Sequence, residues 1–171
     1  MRHIIVGFSK PKKANPLSNA IMWFMGTKFS HVYLAFQSNT INRTLIYQAN
    51  RHGVFFIGKE KFDADNIVID FFLISLTEDQ YKKALQKCVD LSGEQYGVAQ
   101  LIGIGIKELL KKPMKWLGMT AHNPFPNKYK YICSELVVTI LIDCDFLSLK
   151  DINVPLEEIT PEHIYQILSN H

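Results

Sequence analysis

Tyr131-Ile132-Cys133-Ser134-Glu135-Leu136-Val137-Val138 is the stretch from which the rest of the chain is best read. A thiol followed at once by a long apolar run marks a cysteine at the mouth of a buried helix, beside the free N–H groups of its first turn. That position is expected to lower a thiol pKa, and with a base nearby it makes the cysteine a nucleophile. Leu136 to Ile142 reads Leu-Val-Val-Thr-Ile-Leu-Ile, apolar nearly all round, as in a helix buried on every side. The helix is expected to run to about Ile142. The backbone N–H of Cys133, without an intrahelical partner, is available to an oxyanion. A buried cysteine is common in cores, so Cys133 gains chemical meaning only if a base can be found.

The base is sought upstream. Phe29-Ser30-His31-Val32-Tyr33-Leu34-Ala35-Phe36 is a strand by its β-branched and aromatic content. Its alternation puts Val32, Leu34 and Phe36 on the core face and His31, Tyr33 and Ala35 on the other. A polar turn, Gln37 to Thr44, leads to Leu45-Ile46-Tyr47-Gln48-Ala49, which pairs antiparallel with that strand. Tight hairpin registers set odd positions of one strand against even positions of the other, so Gln48, Asn50 and His52 share a face with His31 while Tyr47 does not. Three residues are thus candidates to orient the imidazole.

Around this pair the chain supplies a small antiparallel sheet and several helices. Ile4 to Phe8 is a short strand, followed by a Lys/Pro/Asn-rich turn from Lys10 to Pro16 and a helical segment from Ser18 to Met25 that stops at Gly26. Gly53 to Gly58 and Asn66 to Leu76 are further strands. Thr77-Glu78-Asp79-Gln80 opens a helix in the capping-box pattern, with Tyr81, Ala84, Leu85, Cys88 and Val89 as its apolar stripe, which makes Cys88 a core residue. It ends near Ser92-Gly93, and a second apolar helix starts at Tyr96 and reaches Gly103. Lys107, Lys111, Lys112 and Lys115 beside Trp116 form a solvated amphipathic end or, as the alternative, a weak contact with a membrane or anionic surface. Asn123 to Asn127 mark the loop that delivers the chain to Cys133, and Thr160-Pro161-Glu162 starts a terminal helix up to Leu168.

Composition narrows the classes. With 171 residues, 47% of them hydrophobic and 20% charged, one domain spanning 1–171 is expected. A net charge of +3 calls for no nucleic-acid partner. Three cysteines, Cys88, Cys133 and Cys144, without close pairing fit a reducing compartment rather than a disulfide framework or zinc ribbon. His3, His31, His52, His122, His163 and His171 show no metal-ligand spacing, so neither metal nor cofactor is expected. The apolar run at Ile4 to Phe8 is too short for a signal peptide and no run reaches membrane-span length, so a cytoplasmic monomer is expected.

These pieces, in this order, resemble a known family. Ser30-His31-Val32, Ile46-Tyr47-Gln48-Ala49 with Gly53-Val54, Gly93-Glu94-Gln95-Tyr96-Gly97 with Gln100-Leu101-Ile102-Gly103, Cys133-Ser134-Glu135-Leu136 and Thr160-Pro161 look like the circularly permuted NlpC-type, papain-like cysteine hydrolases of the YiiX-like family. The resemblance implies an α+β fold in which a small antiparallel sheet packs against helices, and the histidine precedes the cysteine. It implies a nucleophile at Cys133, a base at His31 and a third residue on the next strand. Gln48 stands where the family often has an acid, and an amide orients an imidazole without stabilising its charge; the third role stays open among Gln48, His52 and Asn50. Tyr96 and Tyr131 are candidates for the cleft wall or for packing. The implied activity is hydrolysis of an amide, as in cell-wall peptides, or of an ester. Alternatives are a lipid acyl hydrolase or acyltransferase at a membrane surface, and a catalytically weak binding or virion-associated module on the same fold.

Overall fold

In the computed structural model, which describes residues 1–13, 15–97 and 130–171, the sheet is built outward from the first strand. That strand, β1 (Arg2–Pro11), buries Ile4, Val6 and Phe8, the alternate positions of a pleated chain, on one face. It outruns the expected Ile4 to Phe8 because it is paired along both sides, with β2 (His31–Ser38) and with β5 (Asn66–Leu76). β3 (Arg43–Asn50) and β4 (Gly53–Gly58) follow β2 as a meander, giving five antiparallel strands in the order β4-β3-β2-β1-β5.

The expected α+β class holds, and helices cover the sheet. Between β1 and β2, α1 (Pro16–Met25) begins two residues before the expected Ser18. Pro16 needs no hydrogen bond at the first helical position, and the Asn15 side chain accepts from the Ser18 N–H. Its stop is Gly26, at φ 66°. The sequence left 59–65 unassigned, but these residues form α2 (Lys59–Asp65), a single anchored turn and more in which Phe62 is the buried residue. α2, in contact with β3, β4 and β5, carries the chain across the sheet so that β5 pairs with the free side of β1.

α3 (Glu78–Leu91) carries both halves of the Thr77–Gln80 capping box. Cys88 on this helix is buried, and its carbonyl accepts the Tyr47 hydroxyl at 2.6 Å. α4 (Cys133–Asp143) starts at the expected residue, and α5 (Pro161–Ser169) is capped by Thr160 with Pro161 first. These helices pack on the face of Val6, Phe8, Val32, Leu34 and Tyr47. The opposite face is a smaller cluster of Tyr33, Ala35, Ile46 and Phe62. Gly7 is what admits Tyr33 there, since a Cβ on Gly7 would overlap the phenol ring.

Tyr96 does not open a helix. It lies in β6 (Gln95–Tyr96), which pairs in parallel with β7 (Lys130–Tyr131); the rest of the helix expected up to Gly103 and the loop expected at Asn123 to Asn127 lie outside the described residues. The side chains of Tyr96 and Tyr131 lie outside the described residues, as do Lys107, Lys111, Lys112, Lys115 and Trp116. Among the described residues no helix is long and apolar enough to cross a membrane.

Candidate active site

Where β2 begins, the sheet is split. β2 and β3 pair from Ser38↔Arg43 to Leu34↔Tyr47, and the register goes no further, although β3 stays paired with β4 to Asn50↔Gly53. His31 and Gln48 stand on either side of this split, with Phe62 of α2 beside the ring. Their side chains bridge it: the His31 Nε2 and the Gln48 Oε1 are 2.9 Å apart. A carbonyl oxygen only accepts, so Nε2 carries the proton and the lone pair sits on Nδ1, the tautomer a general base needs. The ring lies 6.5 Å from that of Tyr33 and 6.4 Å from that of Phe62, both near parallel to it.

Parity placed three residues on the His31 face, and the structure separates them. Gln48 is buried against the ring. Asn50 turns its Oδ1 to the backbone N–H of His52 at 2.9 Å, closing the tight turn between β3 and β4. His52 is exposed on that turn, its Nε2 accepting from the Arg51 Nε at 3.1 Å. Asn50 and His52 are thus engaged locally, away from the imidazole.

Cys133 is the first residue of α4 and retains only 4% of its surface. α4 lies on β2 and β3, and the backbone N–H groups of Val32, the residue after His31, of Ser134 and of Cys133 itself favour the thiolate form of Cys133. An extended Ile132 precedes the helix without a side-chain cap, which leaves those first N–H groups to the thiol. Ser134 fixes this turn from behind, its buried hydroxyl donating to the Ile159 carbonyl at 2.5 Å.

The electrostatics reverse one expectation. The helix N-terminus does favour a thiolate, but burial is the larger effect and raises the Cys133 pKa above the ordinary thiol value. Burial also pushes His31 down from 6.5 to about 4, against the hydrogen bond to Gln48, which raises it. His31 as a residue is only partly buried. Both effects favour the neutral forms of the two groups.

Sequence reasoning missed several neighbours of the ring. Phe62 comes from α2, whose Lys-Glu-Lys-Phe-Asp-Ala-Asp sequence holds one large apolar residue and no periodic stripe. Ser9 and Ser30 flank His31, Ser9 as its partner across the β1–β2 ladder, and both hydroxyls are buried without a hydrogen-bond partner among the described residues. A cavity of about 640 Å³ lies elsewhere, lined by Asp151, Asn153, His163, Gln166 and His171 among others, and includes none of Cys133, His31 and Gln48. Comparison with protein-family models and with curated proteins returns no match to this chain.

Proposed function

We propose that the chain is a thiol hydrolase that cleaves an amide or ester through a thioester on Cys133. The observation that carries this reading is the split at the start of β2. It exposes the Val32 N–H to the Cys133 thiol and lets Gln48 hold His31 in the tautomer with a free Nδ1. The five-stranded antiparallel sheet, with the histidine strand before the cysteine helix, fits a permuted papain-like arrangement of the NlpC type.

A neutral pair dictates the order of events. The Cys133 sulfur attacks the substrate carbonyl as its proton passes to His31 Nδ1, so the charges appear only in the transition state. The tetrahedral oxyanion is received by the first N–H groups of α4, that of Cys133 among them. Collapse breaks the bond to the leaving amine or alcohol, which takes the proton from His31, and leaves the acyl group on sulfur. Water then attacks the thioester, giving its proton to His31. The acid departs and the thiol is restored with that proton. Gln48 is a positioning residue: it orients the ring but supplies no charge to the imidazolium.

The test is covalent capture. Incubation with activated acyl esters and with acyl-amide probes, followed by intact-mass measurement, should give one acyl group on Cys133 that hydroxylamine removes. Cys133→Ala should abolish it, and His31→Ala should slow it by roughly 10²–10⁴-fold. Equal acylation of Cys88 or Cys144 would sink the proposal.

A further inference from the structure

α1 is an apolar helix whose described side chains are at best partly buried. Its sequence, Pro-Leu-Ser-Asn-Ala-Ile-Met-Trp-Phe-Met, carries no charge. Trp23 is 74% exposed, and Ile21, Met22 and Met25 are only partly covered. Lysines bracket the helix: Lys12 and Lys13 precede it and Lys28 follows, all exposed. More apolar surface lies at the same end of the sheet, where Ile67 and Val68 of β5, 40% and 38% exposed, stand opposite Lys10 and Ser9.

The charge of the chain is divided along its length. Residues 1–59 hold eight Lys or Arg and no Asp or Glu, while residues 60–171 hold eleven basic and all 16 acidic residues. Acidic residues of α2 meet the segment that leads into α1. The Asp63 carboxylate pairs with Lys59, the Asp63 carbonyl accepts from Lys12 Nζ at 2.5 Å, and the Asp65 carbonyl accepts the Lys12 N–H at 2.8 Å. Lys13 and Lys28 remain at the two ends of the helix.

We propose that α1 and its flanking lysines dock this protein on an anionic phospholipid bilayer, with the helix lying in the plane of the interface. A helix of 10 residues is about 15 Å long and cannot span the hydrocarbon core. An uncharged helix with an exposed Trp and lysines at both ends fits the headgroup boundary, where indole rings settle and lysines meet lipid phosphates. Gly26 to Ser30 joins α1 directly to β2, so docking would hold the His31 end of the sheet at the lipid surface.

The experiment is co-sedimentation of the full chain with vesicles of phosphatidylcholine plus phosphatidylglycerol, against phosphatidylcholine alone. A Trp116→Phe background leaves Trp23 as the fluorescent reporter. Binding is expected to the anionic vesicles only and to weaken with added salt. Lys13→Gln and Lys28→Gln should each weaken it roughly fivefold, and Trp23 emission should shift to the blue on binding. Cys133→Ala should bind as well as the wild type, which separates docking from the proposed chemistry. Equal binding to neutral vesicles, an unshifted Trp23, or binding untouched by the two lysine changes but lost on Lys111→Gln with Lys112→Gln would overturn the proposal.

Discussion

α4 and α1 are both apolar helices of about three turns, yet one lies at the centre of the core and the described side chains of the other are exposed or only partly buried. In α4, Leu136, Val137, Val138, Ile140 and Leu141 are fully buried between the sheet and the neighbouring helices. In α1 the described side chains are at best half-covered and Trp23 stands in solvent. Apolar content specifies the helix in both cases, but the surroundings decide what that content is for. α4 runs across the split sheet, where its first turn delivers a thiol; α1 sits between lysines at the rim.

The sharpest way to break this comparison is to remove apolar side chains from each helix. Leu136→Ala leaves a cavity where the side chain was fully enclosed and should cost about 2–5 kcal/mol of unfolding free energy in urea titration. A loss below about 1 kcal/mol would mean that α4 is not the packed element described here.

The next effect comes from His31, beside the first turn of α4. Its folded pKa of about 4 lies below the ordinary 6.5, so between those values the unfolded chain binds a proton that the folded chain does not. Stability should therefore be at its full value above pH 6.5 and fall as the pH drops towards 4. The loss should be about 2 kcal/mol, allowing for the partial exposure of His31. Gln48→Glu should flatten this slope, because a carboxylate against the ring favours the imidazolium. Chemical denaturation across this pH range, for both forms, gives the two slopes. The smallest effect is expected on α1, where Trp23→Ala should change stability by less than about 0.5 kcal/mol.

Much of the site was legible because it depends on short-range periodicity. A strand period of two placed His31 and Gln48 on one face, and the change from polar loop to apolar run placed the start of α4 at Cys133. The unreadable parts depend on where the chain goes next. Gln48, Asn50 and His52 have equal parity, and only the tight turn at Arg51 and His52 draws the latter two away. The thiol pKa followed a local rule, the helix N-terminus, that lost to burial by β2, β3 and the segment at Ile159. α2 escaped because a seven-residue helix with Phe62 as its one large apolar residue has no stripe to detect, although that residue packs against Tyr33 and the His31 ring.

The most direct measurement is the rate of Cys133 alkylation by iodoacetamide as a function of pH, in the wild type and in His31→Ala, with peptide mapping to separate Cys133 from Cys88 and Cys144. A neutral thiol with His31 as base should react faster at Cys133 than at the other two cysteines near neutral pH. That advantage should fall away as the pH drops towards 4 and be lost in His31→Ala. If Cys133 labels no faster than Cys88 and Cys144, and His31→Ala leaves its rate unchanged, the Cys133–His31 site is a structural feature and not a catalytic one.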